Sequence, residues 1–185
     1  MPRCYSAPME QRHRLPAIWL VTDARNDARL EQALRRLPRG SGLIFRHYHL
    51  HGAARRARFE ALARLARARG HLVVLAGTVV EARRWGADGF YASPRKLHPG
   101  RAGLLAIATA HSLREIGQAN RSHADAILLS PVFPTRSHPG APSLGATRFR
   151  LLARHARMPV VALGGMSKRR ARALAWENWA AIDGI

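Results

Sequence analysis

The chain has 185 residues, 47% of them hydrophobic, with 31 Lys and Arg against 11 Asp and Glu and a formal net charge of +20 at pH 7. That is enough apolar material for one buried core, and the single cysteine, Cys4, excludes an intrachain disulfide framework and a cysteine-based zinc site. The excess charge is mostly arginine interleaved with alanine, as at Arg55, Arg56, Arg58, Arg64, Arg67 and Arg69; without a helix-turn-helix or an aromatic platform beside it, it reads as solvated helix surface, and no nucleic-acid partner is expected.

Residues Met1 to Arg14 carry Arg3, Arg12 and Arg14 but no apolar run, so they do not read as a signal peptide. No apolar stretch reaches the roughly 18 to 20 residues that span a bilayer. A cytoplasmic protein with no membrane partner is expected.

From there, short runs rich in β-branched residues alternate with stretches of helical period. The first strand is predicted over Ala17 to Thr22 and its helix over Asp27 to Leu37, where Leu30, Ala33, Leu34 and Leu37 share a face. Strand two is Leu43 to Arg46, followed by a helix that aligns Phe59, Leu62, Ala63 and Ala66 and closes at Gly70. Leu72 to Leu75 is strand three, Thr78 to Trp85 a short helix, and Gly89 to Ala92 strand four. Pro94 to Gly100 reads as a loop or a single helical turn. Leu104 to Ala108 is strand five, with Ser112 as N-cap of a helix from Leu113 to Asn120. Ala126 to Leu129 is strand six; a loop from Ser130 to Gly145 precedes a helix over Thr147 to Ala156. Val160 to Leu163, the helix Ser167 to Trp176, and Trp179 to Ile182 complete the series.

Strands apolar on both faces are those of a parallel sheet covered by helices. Eight of them predict an α/β fold, a minimal (β/α)8 TIM barrel lacking the final helix, with an open doubly wound sheet as the alternative. Residues 1–16 are an N-terminal extension and 17–185 the barrel domain. The missing helix leaves the outer faces of strands eight and one to the extension or to a second subunit, so a homo-oligomer is one of two expectations.

Active sites of such barrels lie just C-terminal to the strands. Two segments there stand out. Gly164-Gly165 follows strand seven and precedes Ser167, an arrangement that can cradle a phosphate monoester but also serves as an ordinary strand-to-helix turn. The loop SPVFPTRSHPGAPSLG, residues 130–145, is longer than its connection needs and offers Thr135, Arg136 and Ser137 as donors to an anion, unless it is an inert excursion.

PVFPT at 131–135, Leu144-Gly145 and MPVVALGGM at 158–166 resemble the signature of the thiamine phosphate synthase and TenI thiazole tautomerase superfamily. HADAILLSPVFPT, IATAHSL, GADGFYAS and IWLVTD extend the resemblance upstream. It implies that Thr135, Gly164 and Gly165 help bind a small-molecule thiazole phosphate, with Arg46 retained at the tip of strand two.

Other family positions differ. The Gln-x-Arg-x-Lys of strand two appears here as Ile44, Arg46 and Tyr48; the first magnesium site, Asn-Asp, as Ala76-Gly77; the second magnesium aspartate as Lys96; and a lysine after PVFPT as His138. Ionising a carbon to pyrophosphate bond needs cations where the leaving-group charge develops, so no metal ligand is assigned. The tautomerase branch moves protons without metal, and His111 matches the histidine it uses; that histidine could instead cap the next helix. A TenI-like tautomerase or thiazole-phosphate-binding protein needing no cofactor is the favoured expectation. An active synthase using Mg2+, and a non-catalytic basic binding protein, are the alternatives.

Overall fold

The computed structural model describes residues 15–97, 103–137, 140, 142–183 and 185. The N-terminal extension up to Arg14, Cys4 and His138 lie outside the described residues. Eight parallel strands close into a barrel in chain order, β1 (Ile18–Val21), β2 (Gly42–Phe45), β3 (Leu72–Ala76), β4 (Gly89–Ala92), β5 (Leu105–Ala110), β6 (Ala126–Leu129), β7 (Val160–Ala162) and β8 (Trp179–Ala181). Closure is made by β8 on β1, where Ile18 pairs with Trp179 and Leu20 with Ala181. The closed barrel excludes the open sheet.

Around it lie α1 (Leu30–Arg36), α2 (Gly52–Ala68), α3 (Val79–Arg84), α4 (Leu113–Arg121), α5 (Gly145–Ala153) and α6 (Lys168–Leu174). Among the described residues only a 3-10 turn, Pro94–Lys96, stands behind β4, and no helix follows β8. Arginines point outward on all six α-helices, including Arg35, Arg64, Arg84, Arg121, Arg148 and Arg172, so among the described residues the charge gathers on no single face. Among the described residues no helix is long and apolar enough to cross a membrane.

Two apolar layers follow from the strand period of two. Trp19, Val21, Ile44, Val74, Ile107, Leu128, Val161 and Ala180 fill the barrel interior. Their neighbours, among them Leu20, Phe45, Leu75, Phe90 and Ile127, face outward against Phe59, Leu62 and Ala66 of α2 and Phe149 of α5. The Trp19 indole occupies the space a side chain at Gly42 would need, since a Cβ there would lie 2.1 Å from the ring; its Nε1 donates to the Pro16 carbonyl at 2.7 Å. Burying each large apolar side chain contributes about 1.5–3 kcal/mol.

The element ends moved for local reasons. The first helix begins early as a 3-10 turn, Ala24–Arg29, because Asp23 caps it and Asn26 returns a bond to the Asp23 amide at 2.9 Å. Asn26 also donates to the Val21 and Ile182 carbonyls at 3.0 and 2.8 Å, tying the tips of β1 and β8. Helix α5 starts at Gly145 rather than Thr147, its first amide donating to Val132 at 2.9 Å.

Candidate active site

Strand ends converge on a cavity of about 560 Å³ at the C-terminal mouth of the barrel. Arg46, His111, Thr135, Arg136, Ser137, Gly164 and Gly165, the seven residues singled out in the sequence, all line it.

One wall is built by the loop after β6 lying across the tip of β7. Val132 donates to the Leu163 carbonyl at 2.9 Å and Phe133 to that of Gly164 at 3.1 Å. The chain can pass this closely only over glycine: a Cβ on Gly164 (φ +95) would sit 2.6 Å from Pro131 Cα, and one on Gly165 (φ +59) 2.5 Å from the Pro134 carbonyl. Among the described residues neither glycine amide has a protein acceptor, and both glycines line the cavity. Arg170, on the first turn of α6, bonds the Gly165 carbonyl and lies over the Phe133 ring at 5.1 Å.

His111 follows β5. Its Nδ1 faces the Ser130 carbonyl at 2.8 Å and the Ser130 hydroxyl at 3.2 Å; the nearer partner, the carbonyl, only accepts, which favours the proton on Nδ1 and the lone pair on Nε2 in the neutral ring. Thr109 Oγ1 stands 3.3 Å from Nε2. The His111 amide donates to Glu115 at 2.6 Å, whereas the side chain that caps α4 is Ser112. The histidine ring is thereby held over the cavity and does not cap the helix.

Four cavity arginines, Arg25, Arg46, Arg136 and Arg170, face one carboxylate among the described lining residues, Asp183. Arg25 bridges three loops: it contacts Asp23 at 3.0 Å, Asp183 at 3.7 Å and the Ser137 hydroxyl at 2.9 Å. Despite the upward push of partial burial, its hydrogen bonds and charge hold the Asp23 carboxyl below its ordinary value. Tyr91 closes the floor; burial pushes its phenol up, against a hydrogen bond with Thr109 and the charge of Arg46. The phenol therefore stays protonated beside Thr109.

Arg25, Tyr91, Thr109, Arg170 and Asp183 were not read from the sequence. Tyr91 and Thr109 could have been, because they share inward parity with Gly89 and Ile107 on β4 and β5. Asp183 follows β8, where the mouth rule applies. Arg25 and Arg170 carry no local signal, since one lies in a turn and the other inside a helix.

Magnesium, implied by the resemblance for the synthase branch, takes hard oxygen ligands, and the residues present do not fit it. The Ala76 carbonyl at the tip of β3 already accepts from the Arg55 guanidinium at 2.7 Å. The carboxylate nearest Gly77 belongs to Glu81, which is committed to the Thr78 capping box and faces Arg55 at 3.9 Å. Lys96 is exposed and does not line the cavity. Ile44, standing for the family glutamine, is fully buried in the barrel interior.

The architecture defines a closed parallel (β/α)8 barrel with an arginine-rich cavity at the C-terminal ends of its strands. Residues 18–185 match the family described as thiamine monophosphate synthase, and the chain belongs to that family. A thiamine-phosphate synthase of Pyrococcus furiosus is 33% identical over 82 residues, 44% of this chain and 38% of that protein, so the matched stretch spans well under half of that curated relative. The solved structure of a thiamine phosphate pyrophosphorylase from Pyrococcus furiosus superposes with a TM-score of 0.74 at 23% identity, covering 89% of this chain and 83% of that one. A mutant tryptophan synthase alpha-subunit from Pyrococcus furiosus superposes at 0.58 and 14% identity, covering 89% and 85% of the two chains. At these identities the structural likeness speaks for the fold alone.

Proposed function

We propose that this chain is a TenI-like member of its family that binds a thiazole phosphate and isomerises it by proton transfer, without metal. The observation that carries the reading is the pairing, across one cavity, of two acceptor-free glycine amides with a histidine whose Nδ1 is held on the Ser130 carbonyl. Gly164, Gly165, Thr135 and Ser137 take the phosphoryl group, with Arg25 and Arg46 supplying charge. Amide donors suit a phosphate because they are fixed in place and need no counter-charge of their own. Helix α6 starts three residues beyond Gly165 and has only seven residues, so the loop amides act here rather than a helix end.

His111 is the proton carrier. Its Nε2 lone pair removes a proton from the bound heterocycle and returns it to another ring atom, so the reaction is redox-neutral and needs no co-reactant. During that step the imidazolium donates from Nδ1 to the Ser130 carbonyl, which stabilises the added charge. Thr109, itself hydrogen-bonded to Tyr91, stands on the Nε2 side.

The test is hydrogen exchange into a thiazole carboxylate phosphate in deuterated buffer, followed by NMR. His111→Ala should keep binding and lose exchange; exchange at the wild-type rate in that variant overturns the role of His111.

The likeness to thiamine-phosphate synthases favours a second reading, a synthase joining a hydroxymethylpyrimidine diphosphate to thiazole phosphate. Its cavity would need the arginines to replace the metal at the diphosphate. Pyrophosphate release from the paired half-substrates distinguishes it.

A further inference from the structure

Arg46 and Tyr48 turn into the cavity, and by strand parity His47 between them points the other way, toward Thr22 and the Ala24–Arg29 turn. Its ring is fully buried and stacks on Phe45 with centroids 4.6 Å apart. Nδ1 meets Thr22 Oγ1 at 2.6 Å and Nε2 meets Asp27 Oδ1 at 2.9 Å. The His47 backbone has a φ of +29, which an L-residue adopts only when its surroundings hold it there. A turn closed by the Leu50 amide on the His47 carbonyl, at 3.2 Å, then brings the exposed His49 ring within 4.9 Å of the His47 ring. One ligand atom from each of Asp27, His47 and His49 lies within 4.8 Å of the other two.

We propose that Asp27, His47 and His49 form a site for a borderline divalent transition metal, with Zn2+ the natural probe, on the outer side of the β2 tip and separate from the ligand cavity. Two imidazoles and one carboxylate suit zinc, cobalt, nickel or copper, and they suit magnesium poorly. A tetrahedral zinc with bonds near 2.0–2.2 Å holds its nitrogen and oxygen ligands about 3.3 Å apart. The 2.9 Å between His47 and Asp27 is close to that spacing, and the His49 side chain is exposed and unconstrained by hydrogen bonds among the described residues.

The local charge also permits a cation. Arg58 is shared between Asp27 and Glu31, so two carboxylates meet one guanidinium and a net negative charge remains. Every bond to the Asp27 carboxylate uses Oδ1, leaving Oδ2 without a partner among the described residues. When Nε2 becomes a ligand, the neutral imidazole changes tautomer and its proton moves to Nδ1, with none released. Thr22 Oγ1, which already accepts the Arg46 amide at 2.8 Å, has a second lone pair for that Nδ1–H. A metal there would lock the turn whose opposite face presents Arg46 and Tyr48 to the cavity.

The experiment titrates chelator-treated full chain with zinc chloride by calorimetry, alongside His49→Ala and His51→Ala. His51 completes an alternating His-x-His-x-His run but stands outside the cluster, immediately before α2. One zinc should bind per chain, millimolar magnesium should not compete, and His49→Ala should weaken zinc by at least about tenfold, the loss expected for groups that only orient a metal ligand. His51→Ala should bind as the parent does. Circular dichroism checks that both variants, which change exposed or terminal positions, remain folded. Absence of stoichiometric zinc, unchanged affinity in His49→Ala, or equal loss in His51→Ala would each overturn the proposal.

Discussion

Gly164→Ala tests the contact on which the cavity is built. Two costs add. An alanine forced to positive φ costs about 1–2 kcal/mol, and the Gly164 backbone sits at φ +95. The new methyl would lie 2.6 Å from Pro131 Cα and 2.7 Å from its Cβ, so the 131–134 segment has to lift away; overpacking of this kind costs about 1–3 kcal/mol. Together the variant should lose about 2–5 kcal/mol, and at about 2–4 °C per kcal/mol for a chain of this size the melting temperature should fall by roughly 4–20 °C. Gly40→Ala is the control: its φ is +74 but nothing lies within 4 Å of the added methyl, so only the first cost applies, about 1–2 kcal/mol. Thermal unfolding followed by circular dichroism, with thiazole phosphate binding measured on the same samples, reads both effects. If Gly164→Ala melted with Gly40→Ala and bound ligand normally, the close approach of the two loops would be wrong.

Asp183→Asn should tighten phosphate binding by about 1.5- to 5-fold, the equivalent of about 0.2–1 kcal/mol for a half-exposed pair, because Arg25 no longer divides its charge between Asp183 and the ligand. Calorimetry at low salt checks this, and weaker binding would contradict it. Stability should fall as the pH drops below about 6.5, since burial pushes the His71 imidazole below its ordinary value while its Nε2 bonds the Leu34 carbonyl at 3.2 Å. The sign follows from proton uptake: between the depressed folded value and the ordinary one, the unfolded chain binds the proton and the folded chain does not, so acid favours unfolding. Urea titrations from pH 7.5 to 5 should show that loss, reduced in His71→Leu; a parent curve flat over this range would refute it.

The strands were legible because each is a short apolar run with both faces buried, and their ends fall within about two residues of the expected ones. What the sequence hid is geometry that depends on several loops at once. The 3-10 turn at Ala24–Arg29 exists because Asp23 and Asn26 cap each other, a polar exchange that hydrophobic period does not report. The glycine pair and the PVFPT loop stood out separately in the sequence, but only the fold lays one on the other. Arg25 and Asp183 are far apart in the chain and meet because β8 closes on β1. The parity of β2 was readable, yet its use was not: it sends Arg46 and Tyr48 into the cavity and His47 to Asp27 on the far side.

The central claim is phosphate binding at this cavity without a metal. Calorimetric titration of the full chain with thiazole phosphate, once in chelator and once in millimolar magnesium, measures it directly. Equal affinity in both buffers is the predicted result; binding that appears only with magnesium, or in neither buffer, would contradict it.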